Sequence, residues 1–138
     1  MRSIEVMSVP KDLKYTEEHE WIRFEGDRAV VGITDYAQEA LGEIVYVELP
    51  VEGDELFQGD SFGGAESTKA VSELFAPISG EIAEVNDLLV DSPELVNADP
   101  YGDGWIIKIH TDELDESEVE KLLDPSAYEE LIEDEEDA

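Results

Sequence analysis

The residue in this chain whose surroundings point most clearly to chemistry is Lys69. Between Arg28 and Lys108 it is the only basic side chain, set among 17 acidic ones. It lies in the run Gly63-Gly64-Ala65-Glu66-Ser67-Thr68-Lys69-Ala70-Val71-Ser72-Glu73-Leu74-Phe75-Ala76-Pro77. A primary amine there has three uses. It can be an ordinary solvated surface lysine. It can be a Schiff-base nucleophile, which needs apolar burial or a neighbouring cation to keep it neutral. Its nearest charges, Glu66 and Glu73, are acids and supply neither. Or it can be the acceptor for a ligase, losing its charge in an amide and becoming a long arm with new chemistry. A stretch that has shed every other positive charge and kept this amine points to the third use, covalent attachment of a cofactor.

Other chemistries find little support. With 38 carboxylates, close acidic pairs are expected everywhere, and adjacency does not mark a general acid. His19 and His110 are the only imidazoles and lie far apart, with no HExxH-type ligand spacing. There is no cysteine, hence no thiolate metal site, catalytic thiol or disulfide. No serine sits in a nucleophile elbow, and Gly63-Gly64 does not fit a phosphate loop. No catalytic residue and no metal site are expected, so a conventional hydrolase or kinase is disfavoured.

The elements that must position Lys69 read as β-structure. Glu20 to Phe24 and Arg28 to Ile33 flank the turn Glu25-Gly26-Asp27 and predict a hairpin. Asp35 is placed to cap a short helix through Leu41, with Gln38 three residues on and Gly42 ending it. Strand-like segments follow. Residues 61–66 and 71–76 form the arms of a second hairpin, with Ser67 to Ala70 at its exposed tip. A weak internal repeat relates Gly42–Val47 to Gly80–Val85 at an offset of 38, and Glu55–Asp60 to Glu94–Asp99 at 39. Two copies are too few for a solenoid, but they suit two halves of a small β-structure closing one core. After a strand over Trp105 to Ile109, helical spacing appears at Leu114, Val119, Leu122 and Leu123. A second helix starts at Pro125 behind Asp124 as cap, and Glu133 to Ala138 reads as a frayed acidic tail.

At 138 residues and 41% hydrophobic content the chain suits one domain with a real core. The expected division is a β core over 12–110, C-terminal helices over 111–132 and an acidic tail over 133–138. The formal net charge of −30 repels nucleic-acid phosphates. Self-repulsion on that scale destabilises a compact state at low ionic strength, and the acids are spread along the chain, so a salt-rich cytoplasm is expected. Met1 to Pro10 lacks the apolar core of a signal peptide, and no apolar run approaches a membrane span. A cytoplasmic monomer is expected.

The residues around Lys69 then become specific. Glu66–Glu73, followed by Pro77-Ile78-Ser79-Gly80-Glu81-Ile82 and Val85-Asn86, resembles the lipoyl-attachment region of the glycine cleavage system H-protein family. Four further blocks resemble that family in order: Leu13–Trp21, Gly32–Gln38, Leu41–Pro50 and Asn97–Trp105. Together they span about residues 12–132. The resemblance implies a barrel-sandwich hybrid, mainly β, of two antiparallel sheets with the modified lysine on a hairpin and peripheral helices. It implies lipoate on Lys69, and Glu66, Ser67, Glu73 and Gly80 as the residues read by the lipoate-attaching enzyme.

The implied role is a non-catalytic shuttle. A pyridoxal-phosphate glycine decarboxylase loads an aminomethyl group onto the lipoyl disulfide, an aminomethyltransferase unloads it to a one-carbon carrier, and dihydrolipoyl dehydrogenase reoxidises the dithiol. In the family the loaded arm folds back into a surface cleft, and here its lining is expected from Glu18, Glu20, Tyr36 and Glu73. Two positions depart from the family's pattern: Glu73 stands where Asp is usual, and Tyr36 where His is frequent. Biotin carriers share the hairpin but flank their lysine with Met, whereas Thr68 and Ala70 stand here. Alternative roles are a lipoyl donor to other enzymes, a lipoyl domain of a 2-oxo-acid dehydrogenase, and an unmodified binding or structural protein on the same fold.

Overall fold

A computed structural model describes residues 8–137. Met1 to Met7, most of the segment read as lacking a signal peptide, and Ala138 of the acidic tail lie outside them. The strands are β1 (Lys14–Tyr15), β2 (Glu20–Glu25), β3 (Arg28–Ile33), β4 (Ile44–Glu48), β5 (Glu55–Leu56), β6 (Ser61–Ser67), β7 (Val71–Phe75), β8 (Gly80–Val85) and β9 (Ile107–His110). The helices are α1 (Asp35–Leu41), α2 (Leu88–Asp91), α3 (Leu95–Ala98), α4 (Glu116–Glu120) and α5 (Pro125–Asp137).

The strands form two antiparallel sheets, one of six strands in the order β1-β2-β3-β9-β8-β5 and one of three in the order β4-β6-β7. Period-two alternation explains how they close. On β2 and β3, Ile22, Ala29 and Val31 join a core that includes Ile44, Ala65 and Leu74 of the smaller sheet. Their neighbours Trp21 and Val30 pack instead with Tyr15 and with Tyr128 and Ile132 of α5. The larger sheet is thus covered by the smaller one on one side and by the C-terminal helix on the other. Trp21 also explains the glycine at position 32, where a Cβ would lie 2.7 Å from the indole nitrogen.

Both expected hairpins are present, and Gly26 turns the first with φ 65°. The expectations fail where a side chain has a choice of partner. The cap of α1 is Thr34, not Asp35: its hydroxyl accepts from Ala37 N at 3.1 Å, while Asp35 accepts from Gln38 Nε2 at 2.8 Å inside the first turn. The repeat holds for β4 and β8, which are strands of different sheets, but Glu94–Asp99 contains the short helix α3 where Glu55–Leu56 is a strand. The helical spacing from Leu114 yields only α4, capped by Asp115, because Leu123 leaves the helix to exchange backbone hydrogen bonds with Tyr15 at 2.7 and 2.9 Å. Asp124 does cap α5, accepting from Ala127 N at 2.8 Å. The segment read as a frayed tail continues that helix to Asp137, held where His19 Nε2 meets Glu135 at 3.0 Å.

Candidate functional site

Lys69 stands at the tip joining β6 to β7, and the tip is fixed by local hydrogen bonds. Ser67 N donates to Ala70 O at 2.8 Å. The buried Ser67 hydroxyl accepts from Ala70 N at 3.0 Å and Lys69 N at 3.2 Å. Thr68 N donates to Glu43 O at 3.1 Å, tying the tip to the entrance of β4. All four amides of the turn are satisfied, so the backbone is rigid. The Lys69 side chain leaves this frame exposed and runs past Gly42, the C-cap of α1. A Cβ on Gly42 would lie 3.4 Å from Lys69 Cε, and its φ of 86° already favours glycine. Among the described residues no carboxylate lies within 4.0 Å of the amine. The arrangement presents a free primary amine on a stiff support, which suits acylation.

Glu20 opens β2 beside the free edge of β7. It is buried, accepts from Thr16 Oγ1 at 2.5 Å and from Phe75 N at 3.2 Å, and terminates the unpaired edge of the smaller sheet. Burial pushes its carboxyl up to about 7, against the opposing pull of those two hydrogen bonds. Glu20 and Glu18 line one cleft of about 410 Å³ with Thr16, Phe75, Pro77 and Leu122. Between them, His19 holds an unusual φ of 71° and is clamped by Tyr128 Oη at 2.8 Å on Nδ1 and by Glu135 on Nε2.

The structure brings together only part of the expected cleft. Glu18 and Glu20 line it; Tyr36 packs against the His19 ring, 5.0 Å between centroids, and its hydroxyl is pushed up by burial and by Glu136 and Glu135. Glu73 opens onto a separate groove with Glu48. Of the residues expected to be read by the attaching enzyme, Ser67 braces the turn and Glu66 is exposed on β6, whereas Gly80 lies in the other sheet. A Cβ there would stand 2.5 Å from Ile109 Cγ2 and 2.6 Å from His110 O, so packing alone requires glycine. Sequence reasoning missed Gln58, Lys121 and Leu122, which also line the Glu20 cleft. They arrive through loops and the returning C-terminal segment, and no local spacing signals that. Among the described residues one group, Asp27, His110 and Asp112, brings three ligand atoms within 4.8 Å of one another, at the end of β9 and the neighbouring turns, all exposed or half-exposed.

Comparison with known proteins agrees with this geometry. Residues 13–135 match the family model described as glycine cleavage H-protein. The chain is 55% identical over 127 residues to the glycine cleavage system H protein of Carboxydothermus hydrogenoformans, covering 92% of this chain and 96% of that protein. It is also 55% identical over 125 residues to a probable glycine cleavage system H protein of Haloarcula marismortui, covering 91% and 97%. The crystal structure of a glycine cleavage system H protein from Mycobacterium marinum superposes with a TM-score of 0.78 at 44% identity, covering 87% of this chain and 95% of that one. With two antiparallel sheets, a lysine on a braced hairpin and similarity along nearly its whole length, the chain belongs to the glycine cleavage H-protein family.

Proposed function

We propose that this chain is the lipoyl carrier of a glycine cleavage system, with lipoate joined as an amide to Lys69 Nζ. The observation that carries this is the exposed Lys69 amine, without an ion pair among the described residues, on a tip whose every amide is satisfied. In attachment, the amine attacks an activated lipoyl carbonyl, a C–N bond replaces the bond to the activating group, and the ammonium proton leaves to solvent. When bound, the lipoyl group supplies a disulfide that accepts an aminomethyl group from the decarboxylase and a dithiol for dihydrolipoyl dehydrogenase to reoxidise. The chain's own residues position and shield, and none of them makes or breaks these bonds.

Glu20 is suited to hold a protonated amine. An ammonium entering the cleft meets a carboxylate in a partly dry setting, where attraction is stronger than in water. Its approach favours the ionised carboxyl, so loading at neutral pH releases a proton from Glu20. Glu18 adds a second negative charge at the mouth, and Phe75, Pro77 and Leu122 supply apolar wall. Glu73 and Tyr36 would meet the arm only outside this cleft.

Reconstitution with the pyridoxal-phosphate decarboxylase tests the role. Lipoylated wild type should support exchange between glycine and CO2, and Lys69→Arg should support none. Exchange at the wild-type rate by Lys69→Arg overturns the assignment. Unloading by the aminomethyltransferase then completes the proposed cycle.

A further inference from the structure

The tight turn from Thr16 to Glu20, which joins β1 to β2, is closed by three hydrogen bonds. His19 N donates to Thr16 O at 3.1 Å, Thr16 N to Glu20 O at 3.0 Å and Glu20 N to Thr16 Oγ1 at 3.1 Å. His19 takes a φ of 71° there, and among the described residues it is the only non-glycine with a positive φ. Glycine or asparagine ordinarily fills such a place, because other side chains are strained in it. Strain of this kind persists only where surrounding contacts outweigh it, and it gathers at functional sites. Thr16, Glu17, Glu18 and Glu20 all line the Glu20 cleft, while His19 alone of the turn faces α5 instead.

The contacts that hold His19 form one continuous set. Ala37 N donates to Thr34 Oγ1 at 3.1 Å, and Thr34 Oγ1 meets Tyr128 Oη at 2.6 Å. Tyr128 Oη meets His19 Nδ1 at 2.8 Å, and His19 Nε2 meets Glu135 at 3.0 Å. Donation in a single direction, from Ala37 through both hydroxyls and the ring to the carboxylate, satisfies the whole set. Thr34 N closes the circuit by donating to His19 O at 3.1 Å. Neither Thr34, Tyr128 nor Glu135 lines the cleft.

We propose that His19 is a positioning residue for the cleft: clamped by Tyr128 and Glu135, it holds the Thr16–Glu20 turn in the shape that directs Glu18 and Glu20 at a docked amine. The inference rests on the reading of this cleft as the shelter of the aminomethyl arm. Without the clamp, residue 19 is free to relax toward negative φ, and that rotation moves its chain neighbours Glu18 and Glu20 relative to each other. The end of α5 thus serves the cleft from outside it, as a strap across the back of the turn.

Hydrogen exchange in the unmodified chain and retention by the loaded carrier, both in concentrated salt, test the proposal. Two variants release the clamp: His19→Gly tolerates the φ without a ring, and Tyr128→Phe/Glu135→Ala keeps the ring without its partners. In both, protection of the Glu20 and Thr34 amides should fall at least about tenfold, while the Lys69 and Ala70 amides keep theirs. Lipoylated and loaded, both should release formaldehyde and ammonium at least about fivefold faster than wild type. Their glycine–CO2 exchange should stay within about twofold of wild type, a split that a misfolded chain would not show. Glu133→Ala, which removes a charge from α5 outside the clamp, should match wild type throughout. Unchanged amide protection in both clamp variants overturns the clamp, as does equal leakage from Glu133→Ala. Loosened amides with wild-type retention, while Glu20→Gln leaks, overturn the positioning role. Wild-type retention in Glu20→Gln as well overturns the reading of the cleft itself.

Discussion

At the scale of single residues, the proposed role rests on two side chains: Lys69, an exposed amine, and Glu20, a buried carboxyl whose ionisation is hindered. Lys69 was legible in the sequence because its charge was an exception in an acidic stretch. Glu20 was legible only through the family resemblance, since its burial depends on Thr16, Phe75 and the returning C-terminal segment. The raised Glu20 carboxyl carries a stability consequence. Below about pH 4.5 it is neutral in folded and unfolded chains alike; between there and about 7 the unfolded chain ionises first. Its contribution is therefore present at low pH and lost as pH rises through that window, by about 3 kcal/mol. Glu20→Gln, which does not titrate, should gain on wild type as pH rises from 4.5 to 8, read from urea midpoints at constant salt; parallel profiles would contradict the burial argument. The same substitution should speed loss of the aminomethyl group from loaded carrier, and an unchanged rate would remove Glu20 from the site.

At the scale of elements, the hairpins were readable because β-branched runs flanked turn residues, and the structure keeps them within a residue or so. What could not be read was competition for backbone partners. Thr34 and Asp35 are both good caps; Thr34 takes the role, while the Asp35 carboxylate accepts from Gln38 Nε2 and Ser8 N instead. Leu122 and Leu123 keep helical spacing, yet the long-range bridge from Leu123 to Tyr15 ends the helix. The β6–β7 tip depends on one hydroxyl. Ser67→Ala should leave the Lys69 and Ala70 amides without their acceptor and cost about 1–2 kcal/mol, with hydrogen exchange at both amides at least about tenfold faster. Gly80 separates packing from recognition. Gly80→Ala should destabilise the fold by about 1–3 kcal/mol or more through overpacking against His110 and Ile109. Where salt keeps that variant folded, its acylation should match wild type; a slow but folded variant would give Gly80 a recognition role.

At the scale of the whole molecule, the −30 charge is a solvation property laid over an ordinary carrier fold. Among the described residues, carboxylates in ion pairs are few, namely Glu25, Asp27, Glu84, Asp112 and Glu135, so most of the 38 acids face water or ions. Circular dichroism across a salt series should show folding lost toward very low salt and gained into the molar range, where the screening length falls to about 3 Å. Full folding at very low salt would contradict adaptation to a salt-rich interior. The proposed role turns on the fate of the Lys69 amine. Intact-mass analysis of protein isolated from lipoate-replete cells of its own host should show one added lipoyl group, absent in Lys69→Arg. An unmodified wild-type mass under those conditions would contradict the account.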